Sequence, residues 1–223
     1  MTIDPTHGIA DFAYETSINI ISDTEISGYK KSKSGTAGDR TVYFYAVFSK
    51  PFKNTGIGIA NEVQNGEKNL SGIDVKGFAS FDIIKGESIE VEVSLSYVSK
   101  EGAKANWESE GSKLNFDLAK TAAENLWQEK LEKITVATSN ESKKRTFYTA
   151  LYHSFISPNL ISDVDGKYFL EGNIRESAIP QFSNFSTWDT YRALHPLFTI
   201  IEQEKTAEIV NSMVSRHTEA GLV

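Results

Sequence analysis

The 223 residues include 39% apolar and 24% charged side chains, a balance that suits a globular chain and excludes a disordered one. A net charge of -7 argues against nucleic acid as a partner, because phosphate binding needs a basic stripe and none is visible. The absence of cysteine excludes disulfides and thiolate metal sites, and no run approaches the ~18 apolar residues of a membrane span.

From residue 9 to about 98 the chain reads as strands. Ile9–Ile21 alternates apolar and polar residues over short distances, and Lys30, Lys31 and Lys33 then fall in a Ser/Gly-rich stretch that reads as a solvated loop. Thr41–Phe48 is a β-branched and aromatic run, followed by Gly77–Ile84 and Ser88–Val98. In the last of these Ile89, Val91, Val93, Leu95 and Tyr97 alternate with Glu90, Glu92, Ser94 and Ser96, which predicts an apolar face buried and a polar face wet. Glycine-rich punctuation between the runs points to an antiparallel sandwich. Trp107, just after the last strand, reads as packing.

After Gly111 the period changes from two to that of a helix. Leu118, Ala122, Leu126, Trp127 and Leu131 recur at helical spacing, and Ile134–Ala137 reads as a short strand or connector. Glu141–Phe155 predicts a second helix that buries Phe147, Leu151 and Phe155 and stops before Pro158. Asp165-Gly166 marks a turn, placed in a hairpin ending in Tyr168-Phe169-Leu170. A third helix begins near Trp188 and is interrupted by Pro196, and a fourth covers Lys205–Glu219 with Ile209, Val210, Met213 and Val214 on its apolar side. Gly221 suits the position just past that helix. The expected division is a β-sandwich over residues 1–112, a linker helix and strand over 113–140 and a helical segment over 141–223. Four short helices with such faces would pack poorly alone, so the chain reads as an internal piece of a longer protein.

The helical half carries a specific likeness. Arg145-Thr-Phe-Tyr-Thr-Ala-Leu-Tyr-His153, Pro158, Asp163-Val-Asp-Gly166, Tyr168 and Phe185-Ser-Thr-Trp-Asp-Thr-Tyr-Arg-Ala-Leu-His-Pro-Leu197 resemble the calcium-dependent exo-acting α-mannosidases of glycoside hydrolase family 92. Gly28-Tyr29, Val42-Tyr-Phe44 through Phe48-Ser-Lys-Pro-Phe52, and Val93 through Ala103 resemble the same family's N-terminal sandwich. The resemblance implies an α+β chain: an N-terminal antiparallel β-sandwich followed by the first helices of an incomplete (α/α)6 barrel. It implies inverting, Ca2+-assisted hydrolysis of terminal α-linked mannose, with mannose-containing glycans as partners. It also implies that the acid, the base and most calcium ligands lie beyond this chain, so the isolated chain is expected to be inactive. Family members are commonly exported bacterial proteins, periplasmic or secreted, although Met1-Thr-Ile-Asp-Pro-Thr-His7 is not a signal peptide.

The resemblance implies a sugar-binding wall at Ser186–Arg192. Asp189 can accept hydrogen bonds from mannose hydroxyls, Trp188 can offer its ring face, and Arg192 can support them by pairing with a carboxylate. The same residues allow a plainer reading: Ser186-x-x-Asp189 has capping-box spacing, and Trp188 can be core. Asp163-Val-Asp-Gly166 lacks the acid an EF-hand needs at loop position 12, where Ile174 stands, and reads as a turn. His153 and His195 are isolated and read as packed or hydrogen-bonded imidazoles. Should the chain prove active, Asp163, Asp165, Asp189 and Glu219 are the candidate carboxylates.

Two other classes of function remain open. A non-catalytic carbohydrate-binding or scaffolding module would need an aromatic platform on the strands, from Tyr43, Tyr45 or Tyr97. An interaction domain would self-associate through the exposed apolar face of its last helix.

Overall fold

The period-two runs of the first half form strands. The computed structural model describes residues 1–8, 11–34, 38–60, 62–113, 115–183 and 185–221. The chain divides into two units, Met1–Leu114 and Asn115–Val223. The segment expected to act as a linker, 113–140, thus falls almost wholly in the second unit.

In the first unit the strands are β1 (Thr2–Ile3), β2 (Phe12–Ile20), β3 (Glu25–Ser34), β4 (Gly38–Phe48), β5 (Asn54–Ile59), β6 (Glu62–Gln64), β7 (Asn69–Gly72), β8 (Val75–Ser80) and β9 (Val91–Ser96). They pair antiparallel into a five-stranded sheet, β7-β2-β3-β4-β9, and a four-stranded sheet, β1-β8-β5-β6. Ile18, Ile20, Ile26, Ala46 and Phe48 from the first sheet meet Ile57 and Val75 from the second, which makes the sandwich core. Phe48, Phe52 and Phe81 close one end of it, with ring centroids 5.0–5.8 Å apart. Gly28 is required where β3 crosses β2: a Cβ there would lie 2.0 Å from the Ser17 carbonyl oxygen.

Three expectations for this half change. The lysine-rich stretch is strand, not loop: Lys30 pairs with Asp11 at 3.0 Å and Lys31 with Glu15 at 3.0 Å. The strand expected over Gly77–Ile84 runs from Val75 to Ser80 instead. The alternation in β9 is inverted, because Val91, Val93 and Leu95 are exposed while Ser96 is buried. Helix α1 (Lys100–Asn106) and the π-helical turn Trp107–Gly111 supply the reason. Ser99 caps α1 by accepting the Gly102 N–H at 2.9 Å. The Ser94 hydroxyl donates to Ala103 O at 2.5 Å and the Trp107 indole N–H to Glu92 Oε2 at 2.5 Å, so the polar face of β9 finds its partners beneath these helices.

The second unit contains α2 (Phe116–Leu131), α3 (Glu141–Ser154), β10 (Asn159–Leu160), β11 (Lys167–Leu170), β12 (Asn173–Glu176), β13 (Phe182–Ser183), α4 (Thr187–Thr190), α5 (Leu194–Ile201) and α6 (Gln203–Ala220). Asn115 and Asn140 start α2 and α3 by accepting the Leu118 and Lys143 N–H groups at 2.9 and 3.0 Å. The core is Phe182, Phe198 and Ile209, with Phe155, Phe185, Leu194, Ile201 and Met213 packed around it. The rings of Phe155 and Phe198 stack at 5.3 Å. Gly221 takes the left-handed conformation expected of it, with φ 68 and its N–H donating to His217 O.

Here too the structure corrects details. In α3 only Leu151 is fully buried; Phe147 and Phe155 are half-covered. In α2, Leu118 and Leu126 are exposed, and Trp127 packs on Tyr152 with centroids 4.5 Å apart. The hairpin turn lies at Glu171–Gly172, both at positive φ, so Tyr168-Phe169-Leu170 opens the hairpin between β11 and β12 rather than ending it. The third helix is two helices, since α4 ends at Thr190 and Leu194 opens α5, with Pro196 tolerated in its first turn. Val210 and Val214 are exposed on α6, whereas Ile209 is buried and Met213 packs on the core.

Candidate functional site

The residues singled out by sequence gather on and just after α4. Trp188 is 79% exposed, so it is not core. Ser186 stands at the helix N-cap but makes no side-chain bond to the backbone; its hydroxyl donates to the Asp189 carboxylate instead. The capping-box alternative is therefore not what these side chains do. Thr190 returns its hydroxyl to Ser186 O at 3.1 Å, which steadies the single turn. Arg192 pairs with no carboxylate among the described residues. Its Nε donates to the Tyr191 hydroxyl at 2.6 Å, and its guanidinium lies 5.3 Å from that ring's centroid.

Asp189, Trp188, Tyr191 and Arg192 thus form an exposed patch of aromatic faces, one carboxylate and one guanidinium. That is the equipment for holding a polyhydroxylated ring, with apolar C–H faces against aromatic carbon and hydroxyls against charged acceptors and donors. Sequence reasoning named three of these residues and gave no role to Tyr191, although it stands in the same quoted string.

The other candidate carboxylates, Asp163, Asp165 and Glu219, lie in and beside the β11–β12 hairpin and at its contact with α6. Asp165 binds the Lys167 ammonium at 2.5 Å, which holds its carboxyl below the usual range. Asp163 is buried beside that turn, and its carbonyl accepts the Gly166 N–H at 2.9 Å. Glu219 accepts the Tyr168 hydroxyl at 2.7 Å and pairs with Arg175 at 3.2 Å. Glu202, at the junction of α5 and α6, takes Lys130 at 2.9 Å and Lys133 at 4.0 Å. No group of three His, Asp or Glu side chains among the described residues can hold a metal ion. His153 is exposed, with Tyr152's ring 5.6 Å away, and His195 is half-covered.

Of the tyrosines named for an aromatic platform, Tyr45 is buried and Tyr43 and Tyr97 are half-covered. Tyr45 is buried against Trp107, with centroids 5.5 Å apart. Tyr43 packs edge-on to Tyr29 at 5.8 Å, and the ammonium groups of Lys31 and Lys100 lie over the Tyr29 ring. Among the described residues no helix is long and apolar enough to cross a membrane.

Comparison with known proteins places these features. The family model for the glycosyl hydrolase family 92 N-terminal domain matches residues 1–96, and that for the family's catalytic domain matches residues 102–223. The structure is similar to the family GH92 α-mannosidase BT3965 from Bacteroides thetaiotaomicron, with a TM-score of 0.92 and 32% identity over 98% of this chain and 30% of that one. The same relative has been solved in complex with mannoimidazole. The inverting mannosidase BT2199 from that organism shares the fold, with a TM-score of 0.87 at 22% identity, over 99% of this chain and 30% of its own. A secreted glycosidase of Arthroderma benhamiae is 32% identical over 157 residues, which is 63% of this chain and 19% of that protein. The chain therefore spans less than a third of the length of these relatives. With its sandwich half and its helical half both matched, the chain belongs to glycosyl hydrolase family 92.

Proposed function

We propose that this chain is part of a glycoside hydrolase that removes terminal α-linked mannose, and that it contributes one wall of the sugar site rather than the reacting groups. The observation that carries this reading is the exposed patch of Trp188, Asp189, Tyr191 and Arg192 within the segment that matches the family's catalytic domain. The likeness to an α-mannosidase solved with mannoimidazole supports mannose as the sugar.

An inverting glycosidase needs an acid and a base ~6.5–9.5 Å apart, with the acid's pKa raised so that it still holds its proton at neutral pH. The carboxylates described above do the opposite work. Asp165, Glu202 and Glu219 each neutralise a cation in their own fold. The acid and base, and any Ca2+ that assists them, are assigned in this reading to parts of the longer enzyme outside this chain. Within the chain, Asp189 is placed to accept from two sugar hydroxyls once Ser186 yields its hydrogen bond, and Trp188 to cover the ring. Export from the cell fits the secreted relative and is part of the same proposal.

The test is mannose release from α-1,2-mannobiose, with Ca2+ and with EDTA. This chain alone is expected to release none, and a polypeptide that includes it and the rest of the catalytic domain is expected to release mannose in a calcium-dependent way. Release by this chain alone would overturn the assignment and return Asp163, Asp165, Asp189 and Glu219 to consideration as catalytic groups.

A further inference from the structure

Two places in the chain set a side-chain carbonyl carbon beside a glycine nitrogen, Asn65-Gly66 and Asp165-Gly166. Such a pair can close a five-membered ring, because glycine has no Cβ to obstruct the approach of its nitrogen. The fold treats the two pairs differently. Asp165-Gly166 is locked. The Gly166 N–H donates to Asp163 O at 2.9 Å, and the Asp165 carboxylate accepts the Lys167 N–H at 3.1 Å as well as the Lys167 ammonium. A Cβ on Gly166 would lie 2.4 Å from Ser177 O, so the turn is also closely packed. Asn65-Gly66 forms the turn after β6, with Gly66 at φ 82 and nothing within 4 Å of a Cβ built on it. Among the described residues no hydrogen-bond partner holds the Asn65 amide or the Gly66 N–H. No other asparagine precedes a glycine, and Asn115 and Asn140 are fixed as helix caps.

We propose that Asn65 is a modification site at which the chain deamidates itself, with water as the only co-reactant. Loss of the Gly66 amide proton to solvent base leaves a nitrogen that attacks the Asn65 side-chain carbonyl carbon. A bond forms from that carbon to Gly66 N, and its bond to the side-chain nitrogen breaks. The leaving nitrogen takes a proton from water and departs as ammonia. Water then opens the cyclic imide at either carbonyl. Opening at the side-chain carbonyl leaves aspartate. Opening at the main-chain carbonyl leaves isoaspartate, whose main chain runs through the former side chain. Overall, water is consumed, ammonia is released and an amide becomes a carboxylate, with nothing oxidised or reduced. The reaction stays within one peptide unit, so it depends on the freedom of the turn and on no partner surface. The turn sits at a joint of the fold. Residues 65–68 link β6 of the four-stranded sheet to β7 of the five-stranded sheet, and Lys68 O accepts Ile20 N at 2.7 Å where β7 meets β2. Isoaspartate lengthens that short link by a carbon. Either product adds a carboxylate between Glu62 and Glu67 to a chain whose net charge is already -7.

The test incubates the whole 223-residue chain in mildly alkaline and mildly acidic buffer, folded and in urea, and maps its peptides by mass spectrometry. In the folded chain Asn65 is expected to gain the mass of an amide NH2 exchanged for OH and to give two separable products, faster in the alkaline buffer. In heavy-oxygen water each product is expected to carry one oxygen from the solvent. Asn69, exposed but followed by Leu70, is the internal comparison and is expected to stay intact. Asn65→Gln, which could close only a larger ring, is expected to stay unconverted and to remove the acidic species from isoelectric focusing. Because the turn is already open, folded and urea-unfolded chains are expected to convert Asn65 at comparable rates. Isomerisation at Asp165, by contrast, is expected only after unfolding frees Gly166 N. An Asn65 that stays intact in the folded chain overturns the inference, whether or not it reacts in urea. So does conversion of Asn69 as fast as Asn65.

Discussion

Glu219, in the last turn of α6, accepts the hydroxyl of Tyr168 from β11 at 2.7 Å, and the tyrosine is 1% exposed. Arg175 on β12 completes the contact, with Nε 3.2 Å from the same carboxylate and a second bond to Glu219 O. A carboxylate that sequence alone offers as a catalytic candidate is thereby tied to the hairpin. Burial first, then the neighbouring carboxylate, pushes the Tyr168 phenol up to about 12 from an ordinary value near 10. The folded state thus holds this proton more tightly than the unfolded state. Its contribution to stability is complete below pH 10 and is lost as pH rises toward 12. Tyr168→Phe is expected to cost roughly 1–3 kcal/mol at pH 7, because Glu219 loses a buried partner, and to flatten the alkaline fall. Urea unfolding at pH 7, 10 and 11.5 checks both. Equal slopes for the two proteins above pH 10 would rule the clamp out as the source.

A second buried polar set fixes α6 to β13. The Ser212 hydroxyl accepts the Phe182 N–H at 2.9 Å and donates to Gln181 Oε1 at 3.2 Å, and both polar side chains are fully buried. Gln181 Nε2 in turn reaches Ser177 Oγ at 3.1 Å. Ser212→Ala removes one oxygen and strands an N–H and a carbonyl away from water. The expected loss is about 1–3 kcal/mol in urea unfolding. Gln181→Leu, which removes the side chain's polar atoms but leaves the Ser212 bond to Phe182, is expected to cost less than Gln181→Ala, which also leaves a cavity.

Gly28 sets a steric limit in the sandwich. A methyl group there would lie 2.0 Å from Ser17 O and 2.6 Å from Phe44 Cε1. The ring can turn, but the carbonyl belongs to the ladder between β2 and β3 and cannot retreat without opening it. Gly28→Ala is expected to destabilise the chain by about 3 kcal/mol or more, read as a fall in the thermal midpoint. Gly38→Ala is the comparison, since nothing lies within 4 Å of a Cβ at that position. Its φ of 66 makes it a strained position for alanine, by roughly 1–2 kcal/mol, so the two variants separate packing from backbone strain.

The elements most legible in the sequence were those whose own residues decide them. Gly221 closes α6 because only a left-handed residue ends a helix that way, and Thr41–Phe48 lies wholly within β4. What could not be read was which face an element turns inward. In β9 the period of two was right and the side was wrong, because alternation says that two faces differ and not which one a neighbour will cover. The covering helix α1 satisfies Ser94 and Glu92 with partners that lie further along the chain. In α2 the helical period was likewise present, yet Leu118 and Leu126 face solvent within the described chain. The site followed the same rule. Ser186 and Asp189 have the spacing of a cap, but spacing alone cannot tell a bond to the backbone from one between the two side chains.

Trp188 separates stability from function. At 79% exposure its side chain adds little to the folded state, so Trp188→Ala is expected to shift unfolding by no more than about 0.5 kcal/mol. In the proposed reading its exposed ring, beside Asp189 and Tyr191, is the face a sugar lies against. Titration with mannose or α-1,2-mannobiose is therefore expected to change the emission of the wild-type chain and leave Trp188→Ala unresponsive. The remaining tryptophans, Trp107 and Trp127, are half-covered by Tyr45 and Tyr152 and serve as an internal reference. Asp189→Asn keeps the size and one acceptor but loses the charge, and it is expected to weaken the response without abolishing it. A sugar response that persists undiminished in Trp188→Ala would move the binding surface away from α4. A loss of stability well beyond 0.5 kcal/mol would give Trp188 a structural role that its exposure does not suggest.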